Sequence, residues 1–62
     1  MEFTVTETEK NARLDVFVSK AADLSRSQAA RLILEGAVLL NGKTADKKSI
    51  LSVGDTVSLE LP

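Results

Sequence analysis

The 62-residue chain contains no cysteine and no histidine, and these two absences exclude more function than any residue present. Together they rule out a disulfide framework, a zinc site of the usual ligands, a Cys/His dyad and a serine-histidine triad. Carboxylates remain, but so short a chain has little room for a deep pocket that would desolvate a pair and separate their pKa values. No catalytic residue, metal or cofactor is expected within these residues.

Tryptophan and tyrosine are missing too, so Phe3 and Phe17 are the only aromatics. Both fall on core-facing positions of the patterns described below, which leaves no platform on which splayed bases could stack. No apolar run approaches the roughly 20 residues that span a bilayer. The start, Met1-Glu2-Phe3-Thr4-Val5-Thr6-Glu7, is acidic and alternating, whereas a secretory signal has a basic start and a continuous apolar stretch. A cytoplasmic protein is the expectation. With 44% apolar and 27% charged residues and no repeat or low-complexity tract, the composition is that of one ordinary folded domain over residues 1–62. A domain of this size buries only about 60% of its unfolded-chain surface, so its core is small.

What is present is unevenly distributed. The formal net charge is -1, yet residues 24–48 carry Arg26, Arg31, Lys43, Lys47 and Lys48 against Glu35 and Asp46, a local balance of +3. The segments on either side carry -2 each. This segregation suits a basic patch on an acidic body, although charge on surface helices often looks the same without any function.

Apolar residues then mark the elements. Phe3-Thr4-Val5-Thr6 alternates as a short strand or extended lead-in. Leu14, Phe17, Val18 and Ala21 share one helical face, and Asn11 is a suitable N-cap, which predicts a first helix from about Ala12 to Ala22. Ser25 and Gln28 form a capping box that opens a second helix over residues 26–35, with Ala29, Ala30, Leu32 and Ile33 as its buried side and Gly36 closing it. Ser27, Gln28, Arg31 and Glu35 project onto the opposite, solvated arc. Val38-Leu39-Leu40 runs into Asn41-Gly42, the dipeptide of a type I′ hairpin turn, and Lys43-Thr44-Ala45 returns as the second arm. After the polar stretch Asp46-Lys47-Lys48-Ser49, the turn Val53-Gly54-Asp55 leads to a last strand in which Val57, Leu59 and Leu61 face the core. The class is α+β, with two helices packed against a small antiparallel sheet.

Arg13-Leu14-Asp15, Leu24-Ser25-Arg26-Ser27-Gln28, Leu32-Ile33, Gly36-Ala37-Val38, Leu40-Asn41-Gly42-Lys43 and Val53-Gly54-Asp55 together resemble the S4 domain over roughly residues 13–61. The resemblance implies a two-helix αL-type S4 fold packed on a small antiparallel sheet, with structured RNA as partner. Arg-Leu-Asp at the first helix, the Leu-Ser-Arg-Ser-Gln start and the terminal Val53-to-Pro62 run are most similar to the N-terminal domain of large-subunit ribosomal RNA pseudouridine synthases. That likeness implies an N-terminal piece of a longer isomerase, with Pro62 opening a linker to a C-terminal catalytic domain. A complete, free-standing chain is the alternative. Arg13-Leu14-Asp15 also resembles the residues around the catalytic aspartate of such synthases, but here it opens an amphipathic helix. Asp15 is expected to be a solvated first-turn carboxylate favoured by the helix dipole, and no catalysis is carried over to it.

The RNA-binding candidates are Arg26, Ser27, Arg31, Lys43, Lys47 and Lys48. Arg26 stands where the positive end of the helix dipole disfavours a cation by roughly 0.3–1 kcal/mol, a broken local rule of the kind function produces. A solvated arginine with its stem laid across the helix is the plain alternative. Ser27 and Arg31 lie one turn apart on the exposed arc, so both could meet one stretch of RNA backbone, or Arg31 could simply pair with Glu35. Gln28, Asn41 and Gly42 are explained by cap and turn geometry. Lys43, Lys47 and Lys48 have no packing reason for their positions and are either RNA contacts or solubilising surface. Recognition by phosphates, 2′-hydroxyls and shape fits the missing aromatics. Two other readings stand beside it: a stand-alone ribosome-associated adaptor, and a protein-interaction domain that uses the acidic face.

Overall fold

The computed structural model describes residues 1–60. Strand β1 (Glu2–Thr4) is followed by a 3-10 turn (Glu7–Glu9), helix α1 (Leu14–Ala21), helix α2 (Arg26–Leu34) and strands β2 (Val38–Leu40), β3 (Lys43–Thr44) and β4 (Thr56–Leu59). The strands form one sheet in the order β1-β4-β2-β3, and every pairing is antiparallel. The two helices pack on each other and close the core over the sheet. Leu14, Phe17 and Val18 of α1, Ala29 and Ile33 of α2, and Val38, Val57 and Leu59 of the sheet are all buried there. The α+β arrangement expected from the pattern of elements is the one observed. Leu61, expected on the last strand, lies outside the described residues.

Helix α2 forms where its local signals place it. The Ser25 hydroxyl accepts the Gln28 N–H at 3.1 Å, and the Gln28 side chain accepts the Ser25 N–H at 3.1 Å. At the other end Gly36 takes φ +82°, and the Ala37 N–H reaches the Leu32 carbonyl while the Gly36 N–H reaches that of Ile33. This is the six-residue closure that needs a left-handed residue, which glycine adopts without steric cost. Replacing Ser25 with Ala removes one of the two reciprocal bonds and should cost about 1 kcal/mol. An unchanged urea midpoint would mean that the cap contributes nothing.

Helix α1 starts later than expected, and the reason is tertiary. Asn11 is not its N-cap: it sits at φ +67° and donates its N–H to the Leu51 carbonyl at 2.9 Å, while Leu51 returns its own N–H to Ala12 at 2.9 Å. Residues 11–12 are thus committed to a neighbouring segment. Arg13, which bridges to Ile50, becomes the cap position without a capping side chain. Backbone carbonyls do the capping. The Leu14 N–H donates to Ser49 at 2.8 Å and the Asp15 N–H to Lys47 at 3.1 Å, so two donors that a helix start leaves open are met by the 47–49 loop. Ala21, expected on the buried face, is exposed at the last turn of the helix, and Ala22 packs in its place.

The hairpin turn has the expected geometry, with φ +53° at Asn41 and +83° at Gly42. Asn41 does more than turn, however. Its side chain accepts the Thr56 N–H at 2.9 Å and donates to Asp55 at 3.2 Å, tying the hairpin to β4. Asp55 also accepts the Ser52 N–H, and these bonds hold its carboxyl below the usual aspartate value. Phe3 is half-buried with its ring edge-on to Phe17, centroids 6.1 Å apart.

Candidate nucleic-acid interface

The exposed side of α2 and the strand-to-loop segment 44–47 form the two walls of a groove. Ser27, Ala30, Arg31 and Leu34 line one wall, and Thr44, Ala45, Asp46 and Lys47 line the other. Each wall is placed by a local device already described. The capping box fixes the start of α2, so Ser27 and Arg31 project one turn apart on the same arc. The opposite wall is held because the Lys47 carbonyl is bonded to the first turn of α1. The Asp46 side chain also accepts the Lys48 N–H at 2.8 Å, and its carbonyl takes the Ser49 N–H.

Three of the six candidates, Ser27, Arg31 and Lys47, therefore meet in one groove. Arg31 also makes the anticipated pair with Glu35, at 3.3 Å with both side chains largely in solvent. Such an exposed pair holds the guanidinium by only a few tenths of a kcal/mol and leaves it free to exchange partners. Lys43 and Lys48 are exposed but do not line the groove. Thr44 does, and because side chains alternate along a strand, neighbouring Lys43 is directed elsewhere.

Arg26 lies just beyond the groove, where the expectation for Asp15 has to be corrected. Asp15 is not a solvated first-turn carboxylate. Its side chain is only 5% exposed, and one of its oxygens, Oδ2, meets Arg13 Nη2 at 2.9 Å and Arg26 Nη2 at 3.5 Å. Arg13 Nε donates to the other oxygen at 3.2 Å, and the Val16 N–H donates to it at 2.8 Å. Burial alone would raise this carboxyl's pKa. The Arg13 hydrogen bonds, the Val16 N–H and the charges of Arg13 and Arg26 outweigh it, so the group is held below the ordinary aspartate value. The dipole penalty at Arg26 is offset by a carboxylate from the other helix. Arg13 and Asp15 thus join the site although neither was a candidate. The sequence signal was the Arg-Leu-Asp triplet itself, whose two charged residues would not face each other on a regular helix.

A model of the S4 domain family matches residues 12–57, most of the chain and every element that builds this face. The chain belongs to the S4 domain family. S4 domains bind RNA, so RNA is the partner class for this one, and the groove and its flanking arginines lie within the matched residues. No curated protein matches the chain in sequence. Among the described residues, no helix of this S4 domain is long and apolar enough to cross a membrane.

Proposed function

We propose that this S4 domain holds structured RNA by its phosphate backbone along the groove between α2 and the 44–47 segment, and that it thereby positions a pseudouridine synthase on large-subunit ribosomal RNA. The observation that carries the RNA surface is the convergence of Ser27, Arg31 and Lys47 on one groove, with Arg26 the residue before Ser27 on α2. A hydroxyl and cations on two facing walls suit phosphates and 2′-hydroxyls. The half-buried Phe3 and buried Phe17 offer no stacking surface. In this reading the exposed Lys43 and Lys48 add to the positive field that steers RNA toward the domain rather than lining the groove.

The link to a synthase rests on the likeness of Arg13-Leu14-Asp15, the start of α2 and the Val53-to-Pro62 run to the N-terminal domains of those enzymes. In this reading a catalytic domain follows the S4 domain in the parent protein, and the chain described here carries no chemistry of its own. The domain contributes local concentration and orientation, as a tethered binding module does.

Titrating a structured RNA hairpin into the wild type, Arg26→Ala, Arg31→Ala and a Lys10→Ala control at several salt concentrations tests the surface. Each lost phosphate contact should lower the slope of log affinity against log salt by roughly 0.7–0.9, and affinity should fall alike for hairpins of different sequence. Arginine variants that match Lys10→Ala in affinity and slope would place the surface elsewhere. A wild type without salt-dependent binding would favour the protein-interaction reading.

A further inference from the structure

We infer that Arg13, Asp15 and Arg26 form a second phosphate-binding element beside the groove, in which Asp15 acts as a positioning residue for two guanidinium groups that together take one phosphodiester of structured RNA. The inference rests on the RNA-binding reading above, and its test is arranged so that the two fail separately.

The geometry begins with one oxygen. Arg13 Nη2 and Arg26 Nη2 both approach Asp15 Oδ2, at 2.9 and 3.5 Å, so a cationic head from the residue that precedes α1 and one from the start of α2 share a single atom. Two positive charges face one negative charge, which leaves the cluster net positive. A guanidinium carries five N–H donors. Arg13 uses two of them on Asp15, and Arg26 stands at ion-pair distance without a hydrogen bond. Among the described residues, most of the donors have no partner. The arginine side chains are 41% and 59% exposed, whereas that of Asp15 is 5% exposed. The carboxylate is the hidden member and the guanidinium groups are the accessible ones, the arrangement expected of a support beneath a binding surface.

This cluster is also mechanically continuous with the groove. The Asp15 N–H is bonded to the Lys47 carbonyl, and Lys47 is one of the residues that line the groove. Arg26 immediately precedes Ser27 on α2. A phosphodiester chain lying along the groove would therefore pass onto the arginine pair, where planar forks suit bidentate contact with phosphate oxygens. Holding both arginines in advance reduces the side-chain entropy lost on binding.

The test turns on a sign. Simple charge counting says that Asp15→Asn, which removes a negative charge beside an anionic ligand, should strengthen RNA binding. Positioning says that it should weaken it. Affinity of a structured RNA hairpin would be measured against salt for the wild type, Arg13→Ala, Asp15→Asn, the Arg13→Ala/Arg26→Ala pair with and without Asp15→Asn, and Lys10→Ala. The expected results are a slope lowered by roughly 0.7–0.9 in Arg13→Ala, a severalfold loss of affinity in Asp15→Asn, and no further loss when Asp15→Asn is added to the arginine pair. Tighter binding by Asp15→Asn overturns the inference. So does an equal loss in the arginine-free background, which would mark a purely structural role. Arg13→Ala removes a partly exposed side chain outside the core, so it keeps the test open if Asp15→Asn does not fold. Its equivalence to Lys10→Ala would remove Arg13 from the site. If the wild type itself does not bind, the RNA-binding reading fails first.

Discussion

Leu51→Ala should destabilise the domain by about 2–5 kcal/mol, the range for truncating a fully buried leucine. The side chain has no solvent exposure, and its backbone pairs in both directions with Asn11 and Ala12. A chain of this length has a total stability of only about 3–9 kcal/mol. The loss is therefore a large share of the whole, and urea denaturation followed by circular dichroism measures it directly. A second consequence comes from its location. Leu51 anchors the segment whose carbonyls cap α1, so loss of packing there should loosen the start of that helix as well. A shift smaller than 1 kcal/mol would show that the site collapses around the alanine and that the anchor lies elsewhere.

The second large effect is expected at Asp15. Asp15→Ala removes two hydrogen bonds from Arg13 and the ion pair with Arg26, and leaves both cations facing each other. Charge-assisted bonds of this kind contribute about 1.5–3 kcal/mol each when sheltered. Both arginines are partly solvated, which screens the pairs, and a total cost of about 2 kcal/mol is expected. The pH dependence follows from the direction of the shift. The folded-state carboxyl lies below its ordinary value of 3.8, so the unfolded chain takes up its proton first as pH falls. The stability due to Asp15 is full above that ordinary value, declines as pH falls through it, and is gone once pH passes below the folded-state pKa. Asp55 is lowered as well, so the informative quantity is the difference between wild type and Asp15→Asn. That difference should be constant near neutral pH and shrink in acid. A difference that did not change with pH would mean that Asp15 titrates alike in the folded and unfolded chain.

The parts of the fold that were legible beforehand are those whose cause is local. The capping box at Ser25 and Gln28, the left-handed Gly36 and the Asn41-Gly42 turn each involve residues within a few positions, and all three stand where the sequence places them. The start of α1 was not legible, because its cap comes from carbonyls more than thirty residues away and nothing in Asn11, Ala12 or Arg13 encodes that partner. Leu51 was hidden for a related reason. It lies between a polar stretch and a turn, without a period of two or of 3.6 to mark a buried face.

The candidate site divides in the same way. Ser27 and Arg31 follow from helical spacing once α2 is known, and the groove confirms that they share a face. Lys47 could be told from Lys43 and Lys48 only by how the loop folds back on α1. The union of Arg13, Asp15 and Arg26 required an extended residue at position 13 and the packing of two helices. Residues two apart on a helix do not meet, and the triplet therefore read as a solvated helix start.

The carbonyl cap on α1 also divides the 47–49 loop into two parts with different tolerance to change. Its backbone is tied to Leu14 and Asp15, so inserting or deleting a residue there would unseat the first turn of a core helix. The side chains of Lys47 and Lys48 take no part in that cap, and their chemistry is free to vary at little cost to the fold. The loop is fixed in length and open in composition. In a lineage of such domains, or in a library built on this one, affinity for RNA would drift by exchange of side chains at a constant loop length.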